Sequence, residues 1–338
     1  RNAFINCAYL TSISLPAEIT SISPYAFQGC TSLASVSLPS SLASIEEGTF
    51  VDCTSLTDIV LPATLTSIGN SAFGGCKGLT GITFPSSLTS IGMYGFSGCT
   101  GLTGITIPAA LTSIKAGAFA RCTSLNHIAV DSANKNFETD GKALFDKGKL
   151  TLFCYAIGLS DSSYTIPGTV TSIWGAFQGC TSLTSIALPA SLTSIWGAAF
   201  QGCTGLTSIA LPASLRTIGT SVFKDCTALT GITLPDGITT IDFSAFEGCT
   251  GLTSVVLPAA LTTIKGSAFS DCSGLTSIDL PTALTDIWDQ AFSGCSNLAA
   301  LNYSSTKADW AKVTLGWNWH QNCPLLKAVT CTDGPVTL

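Results

Sequence analysis

A 23-residue period runs through almost the whole chain, and a period of that length leaves few architectures open. The pattern L-x-x-I-x-L-P at Leu56, Ile59, Leu61 and Pro62 is followed by L-x-x-I at Leu65 and Ile68, then by A-F-x-x-C at Ala72, Phe73 and Cys76. The same phase returns from Leu79 and again from Leu252. The F-x-x-C element alone occurs twelve times, from Phe4/Cys7 to Phe119/Cys122 and then from Phe177/Cys180 to Phe292/Cys295. No unit this short can bury its own apolar residues, so neighbouring units must stack into one continuous core.

Local geometry follows from the spacing. Ile59 and Leu61 stand two apart and so face the same side of an extended strand, and Pro62 lacks the donor needed to continue a ladder. Leu65 and Ile68 supply a second inward wall, while A-F-x-x-C is too short for more than one helical turn. Each coil is expected to be mainly β with a short helical or 3-10 turn.

These residues resemble the BspA-like, or treponemal-type, leucine-rich-repeat family, with coils of the form L-x-x-I-x-L-P, L-x-x-I, A-F-x-x-C. The resemblance covers nearly all of the chain. It implies a leucine-rich-repeat solenoid with a right-handed curved superhelix, found on secreted or cell-surface proteins and used in adhesion and host-protein binding.

The pattern divides the chain into four parts. Repeats occupy residues 1–130, beginning inside an incomplete unit that suggests a missing earlier portion and an open coil able to self-associate. Residues 131–165 break the period and are expected to form a β-hairpin island around Asp140-Gly141 and Asp146, Lys147 and Gly148. The island carries nine of the 34 charged residues (14 Lys plus Arg, 20 Asp plus Glu), which leaves it open as a contact loop or as a spacer. Repeats resume over 166–298. Residues 299–338 read as a C-terminal capping module in which Trp310, Trp317 and Trp319 pack, because a solenoid needs an atypical last unit to cover its core.

Twelve of the fifteen cysteines share one repeat position and should form a ladder of free, buried thiols. Stacked Cβ atoms about 5 Å apart and parallel do not suit a disulfide, which wants about 3.8 Å and converging vectors. Cys154, Cys323 and Cys331 lie outside that ladder, and a Cys323–Cys331 bridge is left open. No C-x2-C pair suggests zinc, no cofactor motif occurs, and the two histidines, His127 and His320, have no evident nucleophile or acid beside them in sequence. The expectation is a chain without catalytic, metal or cofactor residues, and so not an enzyme.

Only 10% of residues are charged and the net charge is -6, so the chain offers no basic stripe for nucleic acid. Gly, Pro, Ser and Thr interrupt every apolar stretch before it could span a bilayer. The first strand's outward columns are bland: Thr57, Thr80 and Thr103, then Val60, Thr83 and Thr106. The column after the second strand's Ile is more informative, since mostly small or charged residues give way there to Trp174, Trp196 and Trp288. Trp174 and Trp196 fall on adjacent coils, either as an exposed patch or folded over their neighbours, with Trp288 a separate feature. The three are the candidate binding residues for a protein ligand, a host extracellular or matrix protein, on an extracellular or cell-surface chain. The alternative is a structural spacer or self-assembling surface element.

Overall fold

A computed structural model describes residues 3–338. The chain is a β-solenoid of about 13 turns, mainly parallel β with little helix. It forms two compact units, Arg1–Ser160 with Trp174–Gly179, and Asp161–Ile173 with Cys180–Leu338.

Each coil has three walls. In the first unit, strands such as Gly104–Ile107 and His127–Val130 pair in parallel, with Ile105 opposite Ile128. Two-residue strands form the second wall, where Ile45, Ile68, Ile91 and Ile114 stand in one register. The corner between these walls is a Pro-x-x-Leu turn, in which Leu65 N–H donates to Pro62 O (3.0 Å) and Leu88 N–H to Pro85 O (3.1 Å). Proline opens the turn in each case, and it also ends a strand where the first wall forms one, as Pro108 does directly after Gly104–Ile107.

The third wall carries Phe and Cys. Its residues make 3-10-type bonds, such as Val51 N–H to Gly48 O and Cys53 N–H to Phe50 O, both 3.1 Å. No helix develops, because left-handed residues recur four apart, at Gly48 (φ 60°) and Asp52 (φ 59°). The same wall bonds to the next coil, Phe27 N–H to Thr49 O (2.9 Å) and Phe50 N–H to Ala72 O (2.8 Å). Inside it the phenyl rings stack from Phe4 through Phe27, Phe50, Phe73 and Phe96 to Phe119, with centroids 5.1–5.6 Å apart. In the second unit Phe200, Phe223, Phe246, Phe269 and Phe292 repeat the arrangement at 5.3–5.4 Å.

The island is more than one hairpin. Phe137–Thr139, Ala143–Asp146 and Thr151–Tyr155 form two consecutive antiparallel hairpins that share the middle strand. Asp140 Oδ1 accepts from the N–H groups of Lys142 (2.9 Å) and Ala143 (2.8 Å), and Asp146 Oδ1 from Leu150 (2.8 Å) and Thr151 (2.7 Å), so an Asp side chain holds each turn. The Phe/Cys wall bypasses the insertion: Arg121 N–H donates to Gln178 O (3.0 Å) where an uninterrupted repeat would present a residue 22 positions on. Tyr155 N–H reaches Ala176 O (2.9 Å), and its ring lies 5.2 Å from Phe177.

At the end of the second unit Trp319 replaces the ladder phenylalanine, edge-on to Phe292 at 6.3 Å, and Phe292 N–H donates to Trp319 O (2.7 Å). The segment read as a cap therefore contains a further coil. Trp310, on the short helix Lys307–Trp310, packs edge-on against Trp319 and Tyr303. The strand Gly334–Thr337 turns back antiparallel on Ala328–Cys331, the change of direction that closes the parallel sheet.

Candidate functional site

All fifteen cysteines are thiols outside any disulfide, and the twelve-member ladder has a partner that the pattern does not reveal. Each typical ladder thiol donates to the carbonyl of the phenylalanine one coil back, as Cys76 Sγ does to Phe50 O (3.2 Å) and Cys249 Sγ to Phe223 O (3.0 Å). Phe50 O also accepts from its own Cys53 N–H, so one carbonyl serves two coils. The position needs a small apolar group that carries a weak donor, which is what cysteine supplies. Cys323 belongs to this ladder, with Sγ 3.0 Å from Phe292 O, and so does not bridge to Cys331. Sequence spacing missed it because one extra residue separates Trp319 from Cys323. Burial pushes the Cys53, Cys122 and Cys226 thiols up to about 12. These groups are packing elements with the reactivity removed.

The threonine columns are similarly self-contained. Thr103 Oγ1 donates to Thr80 O (3.2 Å), Thr207 to Thr184 O (3.2 Å) and Thr253 to Thr230 O (2.9 Å), so these exposed hydroxyls are tied to the neighbouring coil's backbone. A hollow on this face of the second unit contains Arg216, whose Nη1 is already turned onto Ala213 O (2.7 Å) and Leu215 O (3.0 Å). Among the described residues no group of three or more His, Cys, Asp and Glu is arranged to hold a metal ion. His127 is exposed on its strand, and His320 lies against the Trp319 ring at 4.3 Å.

Trp174 is 41% exposed and belongs to the first unit, while Trp196 (39%) and Trp288 (42%) belong to the second. Within the second unit the register makes Trp196, Gly219, Asp242, Lys265, Trp288 and Gly316 one column. The column beside it runs Gly197, Thr220, Phe243, Gly266, Asp289 and Trp317. Phe243 (41% exposed) and Trp317 (70%) therefore join Trp196 and Trp288 in a stripe of aromatic rings. Trp317, expected to pack in the cap, instead faces solvent, because its N–H is anchored on Asp289 Oδ1 (2.6 Å) rather than its ring on the core.

Glycine makes room for the rings. A Cβ at Gly219 would lie 3.0 Å from the Trp196 ring, and one at Gly266 would lie 3.4 Å from Phe243. Trp196 thus leans over the coil that follows it. Across Gly266 the Phe243 and Trp288 rings meet edge to face, centroids 5.5 Å apart at 74°. They wall a recess of about 280 Å³ floored by Gly266 and Gly316 and edged by Asp289 and Thr314. Lys265 Nζ sits 5.2 Å over the Phe243 ring and 3.0 Å from Asp242 Oδ1.

Stacked parallel strands and a repeating Phe/Cys wall define a leucine-rich-repeat solenoid. The chain belongs to the BspA-type leucine-rich-repeat family, whose model matches in overlapping stretches 1–126, 43–156, 149–241, 173–299 and 222–333. Proteins of this repeat class are typically non-catalytic binding proteins. A leucine-rich-repeat protein from Eubacterium ventriosum is 29% identical, with 92% of this chain and 82% of that one covered and a TM-score of 0.80. A leucine-rich cell surface protein from Faecalibacterium prausnitzii is 30% identical over 93% of this chain and 84% of its own, with a TM-score of 0.68. The pneumococcal vaccine antigen PcpA shares the fold at 24% identity and a TM-score of 0.65, covering 90% of this chain and 77% of its own. No protein of curated function matches the chain. Among the described residues no helix is long and apolar enough to cross a membrane.

Proposed function

We propose that this chain is a non-enzymatic surface or secreted protein that binds an extracellular protein ligand, in adhesion or in contact with a host or its matrix. The aromatic stripe carries the reading. Trp196, Phe243, Trp288 and Trp317 rise from two columns otherwise made of glycine, threonine and the charged Asp242, Lys265 and Asp289, and exposed aromatic clusters of this kind mark interaction surfaces. Trp174 is a contact residue of the first unit. Kinship with a cell surface protein supports the location. The test is retention of serum and matrix proteins on the immobilised chain, beside a Trp174→Ala/Trp196→Ala variant and a Phe243→Ala/Trp288→Ala variant. A partner held by the wild type and lost by either variant is the expected result, and equal retention by all three would remove the aromatic residues from the site.

One observation favours a second reading, self-association. Phe4, Cys7, Leu10 and Ile13 are only partly buried on the first coil, where the Phe4 ring has a stacking partner in Phe27. Sedimentation equilibrium decides it, since a monomer at every concentration rules out assembly through this coil.

A further inference from the structure

The recess between Phe243 and Trp288 has a chemistry more specific than exposed aromatic surface. We infer that it receives a cationic side chain, arginine in preference to lysine, from the protein ligand. The inference rests on the binding role proposed for the stripe and names what that part of the stripe recognises.

Three observations converge. The recess has two aromatic walls, the edge-to-face rings of Phe243 and Trp288. Its charged edge is anionic: Asp289 uses Oδ1 to hold the Trp317 backbone N–H and has no partner on Oδ2 among the described residues, while Asp286, beside the recess and accepting from Thr285 Oγ1 (2.6 Å), adds a second negative charge two residues before Trp288. The nearby cation, Lys265, is neutralised by Asp242 at 3.0 Å. The face around the recess therefore carries unbalanced negative charge next to an indole ring.

The third observation is an internal precedent. Lys265 Nζ already lies 5.2 Å over the Phe243 ring with a carboxylate at hydrogen-bond distance, which is the cation, ring and acid arrangement proposed for the ligand. Trp288 and Asp289 offer the same ring and acid without a cation of their own. Indole is the strongest aromatic partner for a cation, and a planar guanidinium can lie on it while bonding a carboxylate at its edge. Glycine at 266 and 316 leaves the depth that a stacked guanidinium needs. A neutral sugar would stack on the rings and donate hydroxyls to a carboxylate, but it would leave the negative charge unbalanced, which a guanidinium does not.

The test uses Nα-acetyl-arginine amide and its citrulline counterpart, which has almost the same shape and no charge. Each is titrated into the whole chain while the indole N–H resonance of Trp288 is followed, assigned by its loss in Trp288→Phe. Arginine is expected to move that resonance saturably, and citrulline at least about threefold less at equal concentration. Asp286→Asn/Asp289→Asn, which keeps shape and the Trp317 acceptor, is expected to weaken arginine binding by about threefold or more with the other indole resonances unmoved. Equal response to citrulline, no response to either compound, or an undiminished response in the double Asn variant would overturn the inference. The outcome is separable from the wider binding role: a macromolecular partner lost on Phe243→Ala/Trp288→Ala with no arginine response retains the role and discards the cation.

Discussion

Replacing Phe246 by alanine tests whether the phenyl column is the main cohesive element of the second unit. Phe246 is fully buried and lies between Phe223 at 5.4 Å and Phe269 at 5.3 Å, with ring planes within 10° of parallel. Truncating a buried phenylalanine costs about 3–5 kcal/mol, and because two ring contacts vanish together the upper half of that range, about 4–5 kcal/mol, is expected here. Phe246→Leu keeps most of the volume and should cost about 1–2 kcal/mol. Phe4→Ala is the internal comparison: Phe4 is half-buried and stacks on Phe27, so its loss should cost less than half as much as that of Phe246. Urea unfolding followed by tryptophan fluorescence and far-ultraviolet circular dichroism gives the midpoints. Because repeat arrays can unfold in parts, hydrogen exchange at Phe223 N–H and Phe246 N–H, which bond to Ala245 O and Ala268 O at 2.8 Å, reports the local effect. A cost for Phe246→Ala below about 1 kcal/mol, or no larger than that for Phe4→Ala, would refute the assignment of cohesion to the rings.

Two further perturbations probe the ladder and the terminal coil. Maleimide added to the native chain at mildly alkaline pH should label the half-buried Cys7 readily and the other fourteen thiols only after denaturation; rapid native labelling of a ladder member such as Cys122 would contradict the burial that raises it to about 12. Burial lowers the His320 pKa below its usual 6.5, and its Nδ1 is enclosed without a hydrogen-bond partner among the described residues. The unfolded chain therefore binds the extra proton first, so the His320 contribution is full above about pH 6.5 and is lost as pH falls from there towards the lowered folded value. Denaturation midpoints measured across that window should flatten in His320→Gln, and an unchanged slope would exclude His320 as the cause.

Much of the fold was legible because the sequence states it repeatedly. Leu65, Ile68, Phe73 and Cys76 all face inward as their spacing requires, whereas the strand expected before Pro62 does not form, residues 56–62 lying outside any strand. What escaped were relations between coils. A period identifies equivalent positions, but it does not reveal that the thiol of one coil bonds the carbonyl of another, or that Arg121 finds Gln178 across an insertion of dozens of residues. The thirteenth coil was hidden by Trp319 in place of phenylalanine and by the longer spacing to Cys323. At the surface, the Trp196 and Trp288 column was visible, yet Phe243 and Trp317 stand one residue later and join the stripe only because Gly266 and Asp289 let their neighbours approach.

The bonding of cysteine to phenylalanine carbonyls bears on how such a chain survives its own synthesis. A polypeptide with fifteen thiols and no disulfide is most vulnerable to oxidation before it is packed, since thiolates, not buried thiols, are the reacting species. A typical ladder thiol bonds a carbonyl 26 residues earlier, as Cys76 does that of Phe50, so its acceptor is already made when the sulfur appears and only the following coil is needed to cover it. Contacts that close over short sequence distances form early. Wherever this protein folds in oxidising surroundings, the repeat shields each sulfur almost as soon as it is made, one turn behind the growing end.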